Sequence, residues 1–268
     1  MGHAEPDIAE LFAPLRPAQA SEVVLNEARQ VLAHVRTPID AELWGSDMIG
    51  ALSGAGPDGP GADCGEVMAE LAVSLVPAAE RSATPEALGL LRILGALGSP
   101  ALRTAALAAA DRVHAGGVPD PVWAGSLGAP SVGQCWHYSD IGGRQESVTV
   151  TFGYGDAQHA LSVLIDHGRR GRIKDAWVAD AEGLLDKTWL AAETDPLVVF
   201  EEIGPADART RLERAIAAGE CPVKPDEADD LTAHRAFLHA RVRLLAAKLR
   251  QLRRTRYAPA PPVSAAPA

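Results

Sequence analysis

Apolar residues recur every three or four positions through the first third of the chain, and from about Val118 onward the pattern shifts towards alternation. The first pattern predicts helices. Ser21 can cap one carrying Val24, Ala28, Val31 and Val35, and Thr37-Pro38 closes it and opens the next. Residues 53–62 (SGAGPDGPGA) read as a Gly/Pro loop, after which Asp63 and Glu66 have capping-box spacing ahead of Val67, Leu71 and Leu75. An αα-hairpin follows with clear punctuation. Thr84-Pro85 starts a helix carrying Leu88, Leu91, Leu94 and Leu97 and ending at Gly98; Ser99-Pro100 starts a second with Leu102, Ala106, Ala109 and Val113, ending at Gly116-Gly117.

Pro119, Pro121 and Pro130 then mark an extended connector containing Trp123. Beyond it lie four runs rich in β-branched and aromatic residues, 136–139, 146–154, 159–167 and 172–179, separated by short Gly- and Asp-containing turns. Such turns join antiparallel neighbours, so these runs predict a β-meander. With residues 155–158 as a four-residue loop, Tyr154 pairs with His159, Phe152 with Leu161, Val150 with Val163, Val148 with Ile165 and Glu146 with His167. One face of that hairpin is apolar, while the other carries Thr149, Thr151 and Ser162.

Leu197–Ile203 reads as a further strand. Pro205 opens a helix with Leu212 and Ile216 that ends at Gly219, and a long helix runs from Asp226 to about Arg254. The expected fold class is α+β: a helical segment over 1–117, a meander segment flanked by helices and closed by the long C-terminal helix over 118–256, and a disordered Pro/Ala-rich tail over 257–268.

Composition adds few constraints. Charged residues are 22% and apolar residues 47% of the chain, close to the globular average, but aromatics are only 4%, so aliphatic side chains and Ala must fill the core. A formal charge of −10 argues against nucleic acid or an anionic membrane covering the whole surface. A nucleic-acid partner is expected only through the basic C-terminal helix, whose acidic start and arginine-rich end the helix dipole also favours. The acidic N-terminus lacks the pattern of a secretory signal, and no stretch of about 18 uninterrupted apolar residues occurs, so the expected location is cytoplasmic, with no membrane partner.

Two constellations carry candidate chemistry. Glu146 and His167 fall at the rim of the apolar face, and Asp175 is expected on one face of the next strand between Ile173 and Trp177; together they form a candidate catalytic acid–base set. Cys135 and His137 share a strand face that His159 can approach, which makes a candidate zinc or other divalent-metal site, although no CxxC pair or fourth ligand accompanies it. Edge histidines and a buried cysteine explain the same residues without function. A GxGxxG match at Gly54–Gly59 follows no strand, the serine at 131 lacks the strand–turn–helix of a nucleophile elbow, and the four tryptophans near the sheet read as core or interface anchors. The sequence therefore favours a non-catalytic binding or regulatory module that recognises a protein or small ligand through its meander. The alternative is a hydrolase-type enzyme, metal-assisted, using Glu146, His167 and Asp175 with Asp140, His137 or His159 in support.

Overall fold

A computed structural model describes residues 17–54, 64–219 and 231–256. The helical part contains α1 (Pro17–Leu32), α2 (Pro38–Gly54), α3 (Cys64–Val73), α4 (Leu75–Ser82), α5 (Pro85–Leu97) and α6 (Pro100–Ala115). The α5–α6 hairpin forms where its punctuation places it. Thr84 Oγ1 accepts from the Ala87 amide at 3.2 Å, Ser99 Oγ accepts from the Leu102 amide at 3.5 Å, and each helix has proline in its first turn. Leu88, Leu91 and Leu94 have no solvent exposure and centre the first hydrophobic core. The helix expected to run through Val67, Leu71 and Leu75 is instead two helices meeting at Ser74, and Asp63, like most of the Gly/Pro loop, lies outside the described residues.

The meander is β1 (Ser131–Asp140), β2 (Gln145–Tyr154), β3 (Ala157–Asp166) and β4 (Arg172–Asp180), and β5 (Val198–Ile203) returns antiparallel to β1, giving the order β4-β3-β2-β1-β5. The β2–β3 register differs from expectation. Tyr154 pairs with Ala157 across a two-residue turn, so Phe152 faces His159, Val148 faces Val163 and Glu146 faces Ile165. The physical reason is Gly155, whose φ of 62° fits the tight turns that match strand twist. A slip of two residues leaves every side chain on its expected face, because the side-chain period in a strand is two.

On the first face Val148, Val150, Phe152, Leu161, Val163 and Ile165 pack against α8 (Pro205–Gly219) and α9 (Leu231–Arg256). The second face is partly covered by a helix the sequence reading passed over, α7 (Ala181–Thr194), capped by Asp180 accepting from the Gly183 amide at 2.8 Å. Helix α9 stands between the two cores, sending Ala236 and Ala240 into the helical one and Phe237 and Leu238 into the sheet one. The stretch expected to begin this helix, 226–230, and the tail at 257–268 lie outside the described residues. Among the described residues, no helix is long and apolar enough to cross a membrane.

Contact between α2 and α9 depends on small residues. The Ser46 hydroxyl donates to the Ala233 carbonyl at 2.6 Å and accepts from the Phe237 amide at 3.0 Å. A Cβ on Gly50 would stand 2.3 Å from the Thr232 carbonyl oxygen, so the two helices would have to separate. Gly50→Ala is expected to lower stability by about 1–3 kcal/mol, the usual range for overpacking, measured as a lower urea midpoint at unchanged slope.

Candidate functional site around Glu146

Glu146 lies near the start of β2, on the first face, where the apolar rows give way to the sheet's end. Its side chain is only 9% exposed. The neighbouring strand contributes His137, two positions from Ser139, which pairs with Glu146; His137 Nε2 stands 2.8 Å from Glu146 Oε2. His167 begins the turn after β3, where its amide donates to the Arg144 carbonyl at 2.8 Å, and its Nε2 stands 3.1 Å from Glu146 Oε1. From above the sheet, Arg211 on α8 donates through Nη1 to Oε2, with Asp207 one turn back on the same helix 3.2 Å from its Nε. His137 Nδ1 lies 3.4 Å from Glu201 Oε1 on β5.

Each oxygen of this carboxylate therefore faces at least one nitrogen donor. An ionised carboxylate is an acceptor only, and charge-assisted contacts of this kind favour the ionised form. The hydrogen bond from His137 is the main cause that holds the Glu146 carboxyl down at about 2; with the Arg211 charge added, the two partners together outweigh the opposing effect of burial. A group with so low an affinity for protons is a poor general acid or base near neutrality. Its chemistry is that of a fixed anion binding β1, the β3–β4 turn and α8 together.

The structure brings Glu146 and His167 together and separates Asp175 from them. Leu164 pairs with Asp175 and Ile165 with Ile173, so Lys174 is an extra residue, a β-bulge that shifts the alternation by one. Ile173 consequently faces the apolar side with Ile165, while Asp175 falls on the second face, where its Oδ1 accepts from the Ala176 amide at 2.7 Å. Arg211 and Glu201 complete the cluster, and the sequence reading missed both. Glu201 had a signal, since pairing β5 beside β1 sets it opposite His137.

Cys135, His137 and His159 do share the first face, but they do not converge. Cys135 pairs with Val150, and His159 pairs with Phe152 at the far end of the rows from Glu146. Among the described residues, no group of three or more His, Cys, Asp or Glu side chains could hold a metal ion. Burial pushes the Cys135 thiol up to about 11, with Glu202 adding to the effect. His159 accepts from Arg241 Nη2 at 3.2 Å, and burial followed by that positive charge holds its imidazole down at about 4.

Two arginines of the last helix turn inward as well. Arg241 pairs with Glu42 between the two cores, and Arg243 Nη2 donates to the Ala96 carbonyl at 3.0 Å at the end of α5. Open grooves lie away from Glu146. One of about 610 Å³ runs beside Pro38, Ser131 and Tyr154, and one of about 340 Å³ lies between α8 and α9 at Ile216 and His239.

Apolar exposure is concentrated elsewhere. Five of the eight large apolar side chains exposed among the described residues belong to β5 or to segments next to it: Val199 in the strand, Leu197 just before it, Ile141 hydrogen-bonded to Leu197, and Trp189 and Leu190 on α7. Trp189 meets Phe200 edge-on at 5.7 Å between ring centroids, and Phe200 stacks on Trp136 at 5.0 Å. The chain matches no protein-family model, no curated protein and no solved structure, so its own residues carry the functional reading.

Proposed function

We propose that this chain is a non-catalytic binding module that recognises another protein through its β-meander. The observation that carries the reading is the gathering of exposed Ile141, Trp189, Leu190, Leu197 and Val199 around one sheet edge. Exposed aromatic and aliphatic side chains, here set on both faces beside one edge strand, are what protein interfaces bury at their centres. The hydrolytic alternative is weaker on two counts. Glu146 stays ionised far below neutral pH, and Asp175 sits across the sheet from it.

Selection of a random peptide library against the full chain tests the reading. Enriched peptides are expected to bind the wild type and to lose roughly tenfold or more in affinity on Trp189→Asp, the scale of an interface aromatic anchor. Failure to enrich any peptide, together with ester or phosphate-ester turnover that disappears on His137→Gln, would replace the binding reading with the hydrolytic one.

A further inference from the structure

We infer that β5 is a docking edge that accepts one extended segment of a partner protein as a sixth strand, and that this segment carries two adjacent cationic residues next to an apolar run. The inference rests on the binding-module reading and names the partner's chemistry. Strand β5 is the end of the sheet beside β1, and among the described residues no strand pairs with its other side. The Ile141 amide donates to the Leu197 carbonyl at 2.9 Å, which fixes which backbone groups face inward. By antiparallel alternation Val199, Glu201 and Ile203 also point their N–H and C=O groups at β1, and Phe200 and Glu202 point theirs outward. Those outward groups form a short template for strand addition, the mode in which main-chain bonds supply affinity and alternate side chains supply selectivity.

The side chains along the edge define the segment. Leu197, Val199 and Glu201 lie on the first face, since Glu201 reaches His137 there; Phe200 and Glu202 lie on the second, beside Trp136 and Trp189. Apolar side chains thus occupy one half of the edge on both faces, and two exposed carboxylates occupy the other half. An added strand would set two consecutive residues against Glu201 and Glu202, one on each face, and its following residues against Phe200, Val199 and Leu197. Opposite charges across strands attract and like charges repel. The two carboxylates, on a chain of formal charge −10, therefore disfavour an acidic segment or a second copy of this chain and favour lysine or arginine at those positions. Charge at an otherwise apolar edge both protects the free protein from pairing with itself and selects the partner.

The test uses the full chain and two labelled peptides, Lys-Arg-Val-Tyr-Thr-Val and Glu-Glu-Val-Tyr-Thr-Val, each flanked by glycines, with binding read by fluorescence anisotropy. The cationic peptide is expected to bind roughly tenfold more tightly than the acidic one, as two opposed charge pairs allow. Glu201→Lys/Glu202→Lys is expected to reverse that preference, and N-methylation of alternate peptide amides to abolish binding without any change to the protein. Three results would each overturn the proposal: binding that ignores the charge reversal, binding that survives N-methylation, or a dimer in sedimentation that the double substitution alters. Library peptides that bind but protect a surface other than β5 from hydrogen exchange would also overturn it, and would leave the binding-module reading standing.

Discussion

Replacing Arg241 with leucine is expected to destabilise the protein by about 3–5 kcal/mol, the range for leaving one member of a buried ion pair without its partner. The Arg241 side chain is 1% exposed and that of Glu42 is 0% exposed. Nη2 donates to Glu42 Oε2 at 2.6 Å and Nη1 to Oε1 at 3.2 Å, a two-pronged pairing that also fixes orientation. The guanidinium carbon sits 4.0 Å from the Phe237 ring centroid and 5.1 Å from that of Phe152. Glu42 Oε1 in turn accepts from the Gly128 amide at 3.0 Å. One ion pair thus joins α2, the connector, α9 and the sheet at the seam between the two hydrophobic cores. In Arg241→Leu the Glu42 carboxylate is stranded in that seam. Glu42→Leu added to Arg241→Leu is expected to recover much of the loss, because both charges then leave together; urea unfolding of the two variants checks it. A single Arg241→Leu variant as stable as wild type would mean that water reaches the seam.

The sequence made local features legible and left the docking of elements obscure. The α5–α6 hairpin could be read because Thr84-Pro85 and Ser99-Pro100 signal helix starts within four residues, with no tertiary information needed. The apolar face of the β2–β3 hairpin could be read despite a misplaced turn, since the error was an even number of residues. Asp175 could not be placed, because Ile-Lys-Asp-Ala-Trp looks like continuous alternation and only pairing with β3 exposes the bulge at Lys174. Arg211 could not be placed either. Its helix reads clearly, but which turn of it lands on Glu146 depends on Leu212 and Ala215 seating on the sheet. Helix α7 was hidden for a related reason: Trp189 and Leu190 are exposed and blur the stripe formed by half-buried Leu184, Leu185 and Thr188. The docking edge shares this history, since β5 reads as a strand while its place beside β1 comes only from the chain passing over the second face through α7.

Acid should unfold this protein through two separable windows, one for His159 and one for Glu146. His159 has a folded value of about 4 against an ordinary 6.5, so the unfolded chain binds more protons between those limits. The stability that neutral His159 contributes is complete above pH 6.5 and is lost as pH falls towards 4. Glu146 has a folded value of about 2 against an ordinary 4.5, so its contribution is complete above pH 4.5 and is lost as pH falls towards 2. Each shift corresponds to a stability difference across its window on the order of 2–3 kcal/mol, at about 1.4 kcal/mol per pH unit and allowing for partial solvent screening. His159→Gln is expected to flatten the stability profile between pH 6.5 and 4 while leaving the lower window in place, and Glu146→Gln to do the reverse. The two groups sit at opposite ends of the apolar face, far enough apart along the strand rows for their effects to add. Urea midpoints at half-unit pH steps would show it. A Glu146→Gln variant that keeps the wild-type slope below pH 4.5 would mean that the His137 and Arg211 contacts do not hold Glu146 ionised in the folded protein.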